Sequence, residues 1–181
     1  MVAYLLPILA VLSRLIPHAG WFNFTAVGGA LLFFGARRPL RESLLPLAAF
    51  IALDSYLTVY VYQYGFRITE YLPTWGWYLG MILLGSALLR KPTMLRGIIA
   101  ILAGPTSFFL LSNGAVWAWG TLYAKNFSGL VVCLTAGLPF YKNDLASTAL
   151  FVAVAFGLPA LVTRIREQKT PAYATVKNQR R

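Results

Sequence analysis

Residues Ser13–Arg38 read SRLIPHAGWFNFTAVGGALLFFGARR, and how this stretch meets a bilayer decides the fold. It places Arg14 inside an apolar run. The single histidine, His18, follows with Trp21 and Asn23, and then a small-residue helix, AVGGA, opens and stops at Arg37-Arg38. An arginine in a hydrocarbon-length segment is costly, so it faces a protein interior or a water-filled cavity. The stretch reads as the turn between two membrane helices and as the first place to look for a site.

Composition supports a bilayer setting. The 181 residues are 59% hydrophobic and 12% charged, with a mean hydropathy of +0.66. A soluble domain of this size needs more surface charge, and apolar runs near ~20 residues place the chain among polytopic membrane proteins. The net charge of +11 does not point to nucleic acid, because the cations cluster at the ends of apolar runs. A single cysteine, Cys133, excludes an internal disulfide and a Cys-based zinc cluster. The N-terminus has no basic n-region and carries Arg14 in its apolar part, so it reads as a retained helix rather than a signal peptide.

Hydropathy predicts spans at Val2–Pro17, Phe22–Ala36, Ser43–Tyr64, Tyr71–Leu89, Met94–Ser112 and Leu145–Ile165. The first two are short for a bilayer core and need help from flanking residues or burial against neighbours. Of the sixteen Lys and Arg, twelve fall on one side of such a bundle: Arg37, Arg38, Arg41, Arg90, Lys91, Arg96 and six in the C-terminal stretch. The positive-inside rule then puts both termini in the cytoplasm of a plasma (bacterial inner) membrane protein.

The run Gly129–Phe140 (GLVVCLTAGLPF) is too short to span, reaching only ~18 Å at ~1.5 Å per residue. It reads as a half-helix in the outer leaflet, with Asn143 or Asp144 capping the last span. The expected fold is thus an all-α membrane protein. About six transmembrane helices form one bundle over residues 1–165, with an extra outer-leaflet half-helix. Residues 166–181 form a basic, flexible cytoplasmic tail near anionic headgroups. Ala26-x3-Ala30 and Ala149-x3-Ala153-x3-Gly157 read first as close packing inside the bundle. Pro46, Pro105 and Pro159 are expected to kink their helices.

Asp54 falls at the middle of its predicted span, with Thr58 and Tyr62 at i+4 and i+8 on one face. A carboxylate there is paired, protonated or hydrated; it serves either as a ligand or ion site or as glue between helices. Arg14 has three readings: snorkelling to the interface, pairing with Asp54, or facing an anionic ligand group. His18 alone makes no metal site, having no partner His, Cys pair or Glu-x-x-His. All five tryptophans, Trp21, Trp75, Trp77, Trp117 and Trp119, fall toward the external end with Tyr71, Tyr78 and other aromatics. An excess on one side suggests an outward-facing pocket for a flat or ring-containing ligand, its polar groups supplied by residues such as Asn23 and Asn113. The ligand-binding set is Arg14, His18, Trp21, Asn23, Asp54, Thr58, Tyr62, Asn113 and Trp117. No nucleophile–base constellation, phosphate loop or paired catalytic carboxylates occur, so no enzyme and no cofactor are expected.

The motifs RLIPH (Arg14–His18), NFTAVGGALLFFGA (Asn23–Ala36), Asp54, NGAVW (Asn113–Trp117) and SGLVVCLTAGLPFYKN (Ser128–Asn143) resemble a bacterial family of small uncharacterised integral membrane proteins. That family is distantly similar to the substrate-binding S components of energy-coupling-factor (ECF) vitamin transporters. The resemblance implies a six-helix S-component-like bundle with a ligand held under the external loops. It further implies that an ECF-type coupling subunit and ATPases supply energy. S components dock through a small-x3-small motif on the first helix; here the nearest match, Ala26 to Ala30, is on the second. The expected function is a substrate-binding subunit for uptake of a small, ring-containing nutrient. The alternative is a non-catalytic accessory subunit of a larger respiratory or photosynthetic membrane complex.

Overall fold

The computed structural model describes residues 2–15 and 24–169. They form helices α1 (Val2–Leu15), α2 (Val27–Arg37), α3 (Leu44–Tyr56), α4 (Ile68–Leu88), α5 (Met94–Trp119), α6 (Phe127–Val152) and α7 (Leu158–Lys169). A π-turn over Leu57–Val61 extends α3, and a second over Ala153–Gly157 joins α6 to α7 in one rod, so the described residues form six helical rods. No strand occurs among the described residues. Among the described residues three rods are long and apolar enough to cross a bilayer: Leu40–Val61, Met94–Trp119 and Phe127–Ile165. The chain is an all-α membrane protein.

Consecutive rods alternate in direction. Tyr4 at the start of α1 meets Phe34 near the end of α2, and Thr58 and Asp54 of α3 meet Tyr71 and Tyr78 of α4. Thr106 of α5 pairs with Tyr141 of α6. Alternation gathers Arg37, Arg38, Arg41, Arg90 and Arg96 at one end, the basic end, and Trp117 and Trp119 at the other.

α2 is the hub. Every residue from Val27 to Ala36 is buried, against α4 on one side and α1 and α6 on others. Its sequence explains this: three glycines let neighbouring helices approach closely, and seven apolar side chains fill the gaps between. A Cβ on Gly28 would lie 3.0 Å from the Thr148 hydroxyl, and one on Gly29 2.5 Å from the Phe151 ring. α1 and α2, at 14 and 11 residues, are ~21 and ~16 Å long and reach only part-way through a ~30 Å core. They form a short hairpin rising from the basic end. The expected burial of short spans against neighbours holds for α2.

The half-helix expected at Gly129–Phe140 is instead the first half of α6, continuous with the last rod. The helix runs on through Pro139 and the polar residues Tyr141–Asp144 without a break. Asp144 is buried within the helix, and the cap lies further back, where the Asn126 side chain accepts from the Gly129 N–H at 2.8 Å. Asn126→Ala removes that cap and should lower stability by about 0.5–2 kcal/mol, read by thermal unfolding in nanodiscs. Pro46 sits in the first turn of α3, where its missing N–H is harmless, and Pro159 opens α7 directly after the π-turn. Ala149-x3-Ala153-x3-Gly157 does not pack inside: Ala153 and Gly157 are exposed.

At the basic end, Arg38 donates to Glu42 at 2.6 Å and stacks on Tyr4, whose hydroxyl also donates to Glu42. The Glu42 hydrogen bond raises the Arg38 pKa above its ordinary value, so this tie between α1, α2 and α3 stays charged.

Candidate functional site

Asp54 is 3% exposed on α3 and accepts from three side chains at once. Arg14 Nη1 donates to Oδ1 at 2.6 Å, Trp75 Nε1 donates to Oδ2 at 3.1 Å, and the Tyr78 hydroxyl lies 3.3 and 3.0 Å from the two oxygens. Arg14 Nη1 also donates to the Tyr78 oxygen at 3.1 Å. Helix counting places these groups at one depth: Arg14 is ~18 Å along α1 from Val2, Asp54 ~20 Å along its rod from Arg41, and Tyr78 ~18 Å along α4 from Arg90. In a core of ~30 Å that depth is near the midplane.

α4 delivers three aromatic groups to α3 because Tyr71, Trp75 and Tyr78 are spaced i, i+4, i+7 and share one helix face. Thr58, one turn beyond Asp54, donates to the Asp54 carbonyl at 2.7 Å and meets the Tyr71 hydroxyl. Phe66, Tyr71 and Trp75 form a ring ladder, with Phe66 stacked on Tyr71 at 5.2 Å and Trp75 tilted against Tyr71 at 5.9 Å. The ladder leads from Asp54 toward the aromatic end.

The carboxylate is satisfied by these donors, so Asp54 has little capacity left for a ligand. The guanidinium does: it carries five N–H donors, and the Arg14 side chain stays 24% exposed. Chemically the cluster offers a fixed cation edge beside an aromatic wall, a match for an anionic group attached to a ring.

The structure brings together Arg14, Asp54 and Thr58. Tyr62 does not join them. The π-turn at Leu57–Val61 bonds the Tyr62 N–H to the Leu57 carbonyl at 2.8 Å, five residues back. The extra residue in that turn rotates Tyr62 off the stripe and out of the bundle, where it is 54% exposed against Tyr64. Asn113 and Trp117 lie on the outer half of α5, facing α6. The Asn113 amide donates to the Phe109 carbonyl at 2.8 Å, and Trp117 donates to the Ala124 carbonyl at 2.8 Å beneath Lys125. They brace the α5–α6 turn. His18, Trp21 and Asn23 lie outside the described residues.

Trp77, read with the external aromatics, is a core residue at 6% exposure that donates to the Gly104 carbonyl at 3.1 Å. Trp75, Tyr78 and Tyr71 are the partners missing from the sequence-based ligand set. Their i, i+4, i+7 spacing was the available signal.

Fold and site together define an α-helical membrane protein with a hydrogen-bonded ion pair at mid-bilayer depth. The chain belongs to a family of unknown function: the model described as Family of unknown function (DUF6580) matches residues 1–173. No curated protein matches the chain, and no solved structure does.

Proposed function

We propose that this chain is a membrane substrate-binding subunit for uptake of a small, ring-containing nutrient that carries an acidic group. The observation behind this reading is the partly exposed Arg14 guanidinium, fixed by Asp54 and Tyr78 next to the Phe66–Tyr71–Trp75 ladder. The ligand's anionic group takes the free guanidinium edge and its ring lies on the ladder. The resemblance to S components of energy-coupling-factor transporters fits this, with a coupling subunit and ATPases as partners. The Lys and Arg distribution supports a plasma-membrane, multi-pass protein with both termini in the cytoplasm. Catalysis is not part of the reading.

The test is native purification in nanodiscs, mass spectrometry of co-purified small molecules, and thermal-shift screening of ring-containing acids including vitamins. Phe66→Ala and Tyr71→Ala should each weaken binding roughly 3- to 10-fold, as loss of one stacked ring predicts. A protein that carries nothing, binds none of the set and supports uptake equally well without these rings would refute the reading.

One observation favours a second reading, an accessory subunit of a larger membrane complex. The stripe Ala149-x3-Ala153-x3-Gly157 turns outward, where another helix could pack closely. Native mass spectrometry after gentle solubilisation separates the two: co-migration with a respiratory or photosynthetic complex favours the accessory role, and co-migration with an ATPase pair favours uptake.

A further inference from the structure

The protein buries a second carboxylate, and it is treated quite differently from the first. Asp144 on α6 is 6% exposed. The Asp144 Oδ2 atom is fully buried and has no close hydrogen-bond partner among the described residues; the buried Thr148 hydroxyl one turn on is the nearest polar group on its own helix. The ion pairs among the described residues are Arg14–Asp54, Arg38–Glu42 and Arg67–Glu70, so no cation of the described chain compensates Asp144.

The surroundings are apolar or neutral. Asp144 lines a cavity of about 20 Å³ with Pro105, Phe109, Ser112, Asn113 and Tyr141, enough for one small guest. The facing stretch of α5 offers Ser112 and Asn113 and no charged residue, and α2 approaches α6 through Gly28. On α6 itself, Tyr141 is the titratable neighbour, its hydroxyl 3.0 Å from Thr106, and Lys142 is exposed. Depth compounds the problem: Pro105, beside Asp144, lies ~14 Å along α5 from Arg96 and ~21 Å from Trp119. An ionised carboxylate this deep with no counter-charge is strongly disfavoured.

We propose that Asp144 is a binding site for a small monovalent cation, H⁺ or Na⁺, in the α5–α6 interface. Both guests have the same effect, cancelling the carboxylate charge. A proton leaves a neutral acid whose O–H can donate within the cavity. Sodium is a hard cation and takes oxygen ligands, which is the donor type that Asp144, Ser112, Asn113 and Tyr141 present. Asp54 needs neither, because Arg14 is its counter-charge.

The test is infrared difference spectroscopy on the full chain in nanodiscs, wild type minus Asp144→Asn, at neutral pH with NaCl or choline chloride. A protonated-carboxyl band assigned to Asp144 identifies the proton. A carboxylate band that shifts with Na⁺ and not with choline identifies sodium. A carboxylate band that ignores Na⁺ overturns the site. Should Asp144→Asn not fold, the wild-type melting temperature decides. It should fall as pH rises from about 4 toward neutral in choline, since over that range the folded form holds a proton that the unfolded chain releases, or rise with NaCl at fixed ionic strength. A melting temperature indifferent to both overturns the proposal. Asp54→Asn, with its own partner Arg14, should leave the Asp144 band unchanged.

Discussion

Asp54→Leu should destabilise the folded protein by about 3–5 kcal/mol, because it strands the Arg14 guanidinium at mid-depth and leaves Tyr78 and Trp75 without their acceptor. Arg14→Met should cost a comparable amount for the mirror-image reason. The double variant Arg14→Met/Asp54→Leu should be much less damaged than the sum of the singles, since no unpaired charge remains and the apolar replacements suit the depth. Equilibrium unfolding in bilayer nanodiscs measures all three, and the cycle returns the coupling energy directly. Additive losses would mean that the pair at 2.6 Å does not act as a unit. The same series separates structure from uptake. A folded double variant that no longer takes up the nutrient points to Arg14 as the ligand's counter-charge, and one that still does leaves the pair a purely structural tie.

The sequence carried the class of fold and the principal pair. Apolar run length and the grouping of Lys and Arg made an all-α membrane bundle legible, and two lone charges in apolar runs, Arg14 and Asp54, could be read as candidate partners. What the sequence hid was mostly a matter of helix phase. The Asp54–Thr58–Tyr62 stripe assumed an unbroken 3.6-residue period, and a π-turn of five residues cannot be seen in composition. Gly129–Phe140 looked like a half-helix because a twelve-residue apolar run is too short to span, with Asn143 or Asp144 as the next cap. Polarity in a helix also marks a buried group facing a neighbour, and that is where Asp144 lies. Tryptophans near one end of the chain's spans suggested a pocket mouth, yet Trp77 packs inward because α4 turns that face to Gly104. The small-residue signals were visible but wrongly weighted. Ala26-x3-Ala30 does lie on the buried hub, whereas the longer alanine–glycine stripe on the last rod faces out.

The backbone contact between α2 and α4 escaped the small-x3-small pattern because its two glycines are on different helices. Gly35 of α2 and Gly85 of α4 let the two backbones touch. A Cβ on Gly35 would lie 1.9 Å from the Ile82 carbonyl oxygen, and one on Gly85 would lie 2.1 Å from that of Leu32. Both obstacles are backbone atoms, so no rotamer change relieves them and the helices must move apart. Overpacking of ordinary side chains costs about 1–3 kcal/mol, and a clash between two main chains belongs at or above the top of that range. Gly85→Val should therefore cost about 3 kcal/mol or more, and Gly35→Val a similar amount. Gly76→Ala and Gly80→Ala on the same helix α4 are the controls: nothing lies within 4 Å of the added methyl at either site. Those two should leave stability unchanged or raise it by up to about 1 kcal/mol through helix propensity. Thermal unfolding of the four variants in one lipid composition makes the comparison. Equal effects at Gly85 and Gly80 would show that α2 and α4 do not meet at backbone distance. The outcome bears on the site as well, since α4 carries Trp75 and Tyr78 two to three turns above Gly85. A shift of α4 away from α2 takes those donors with it, so Gly85→Val should also loosen the Arg14–Asp54 cluster that it never touches.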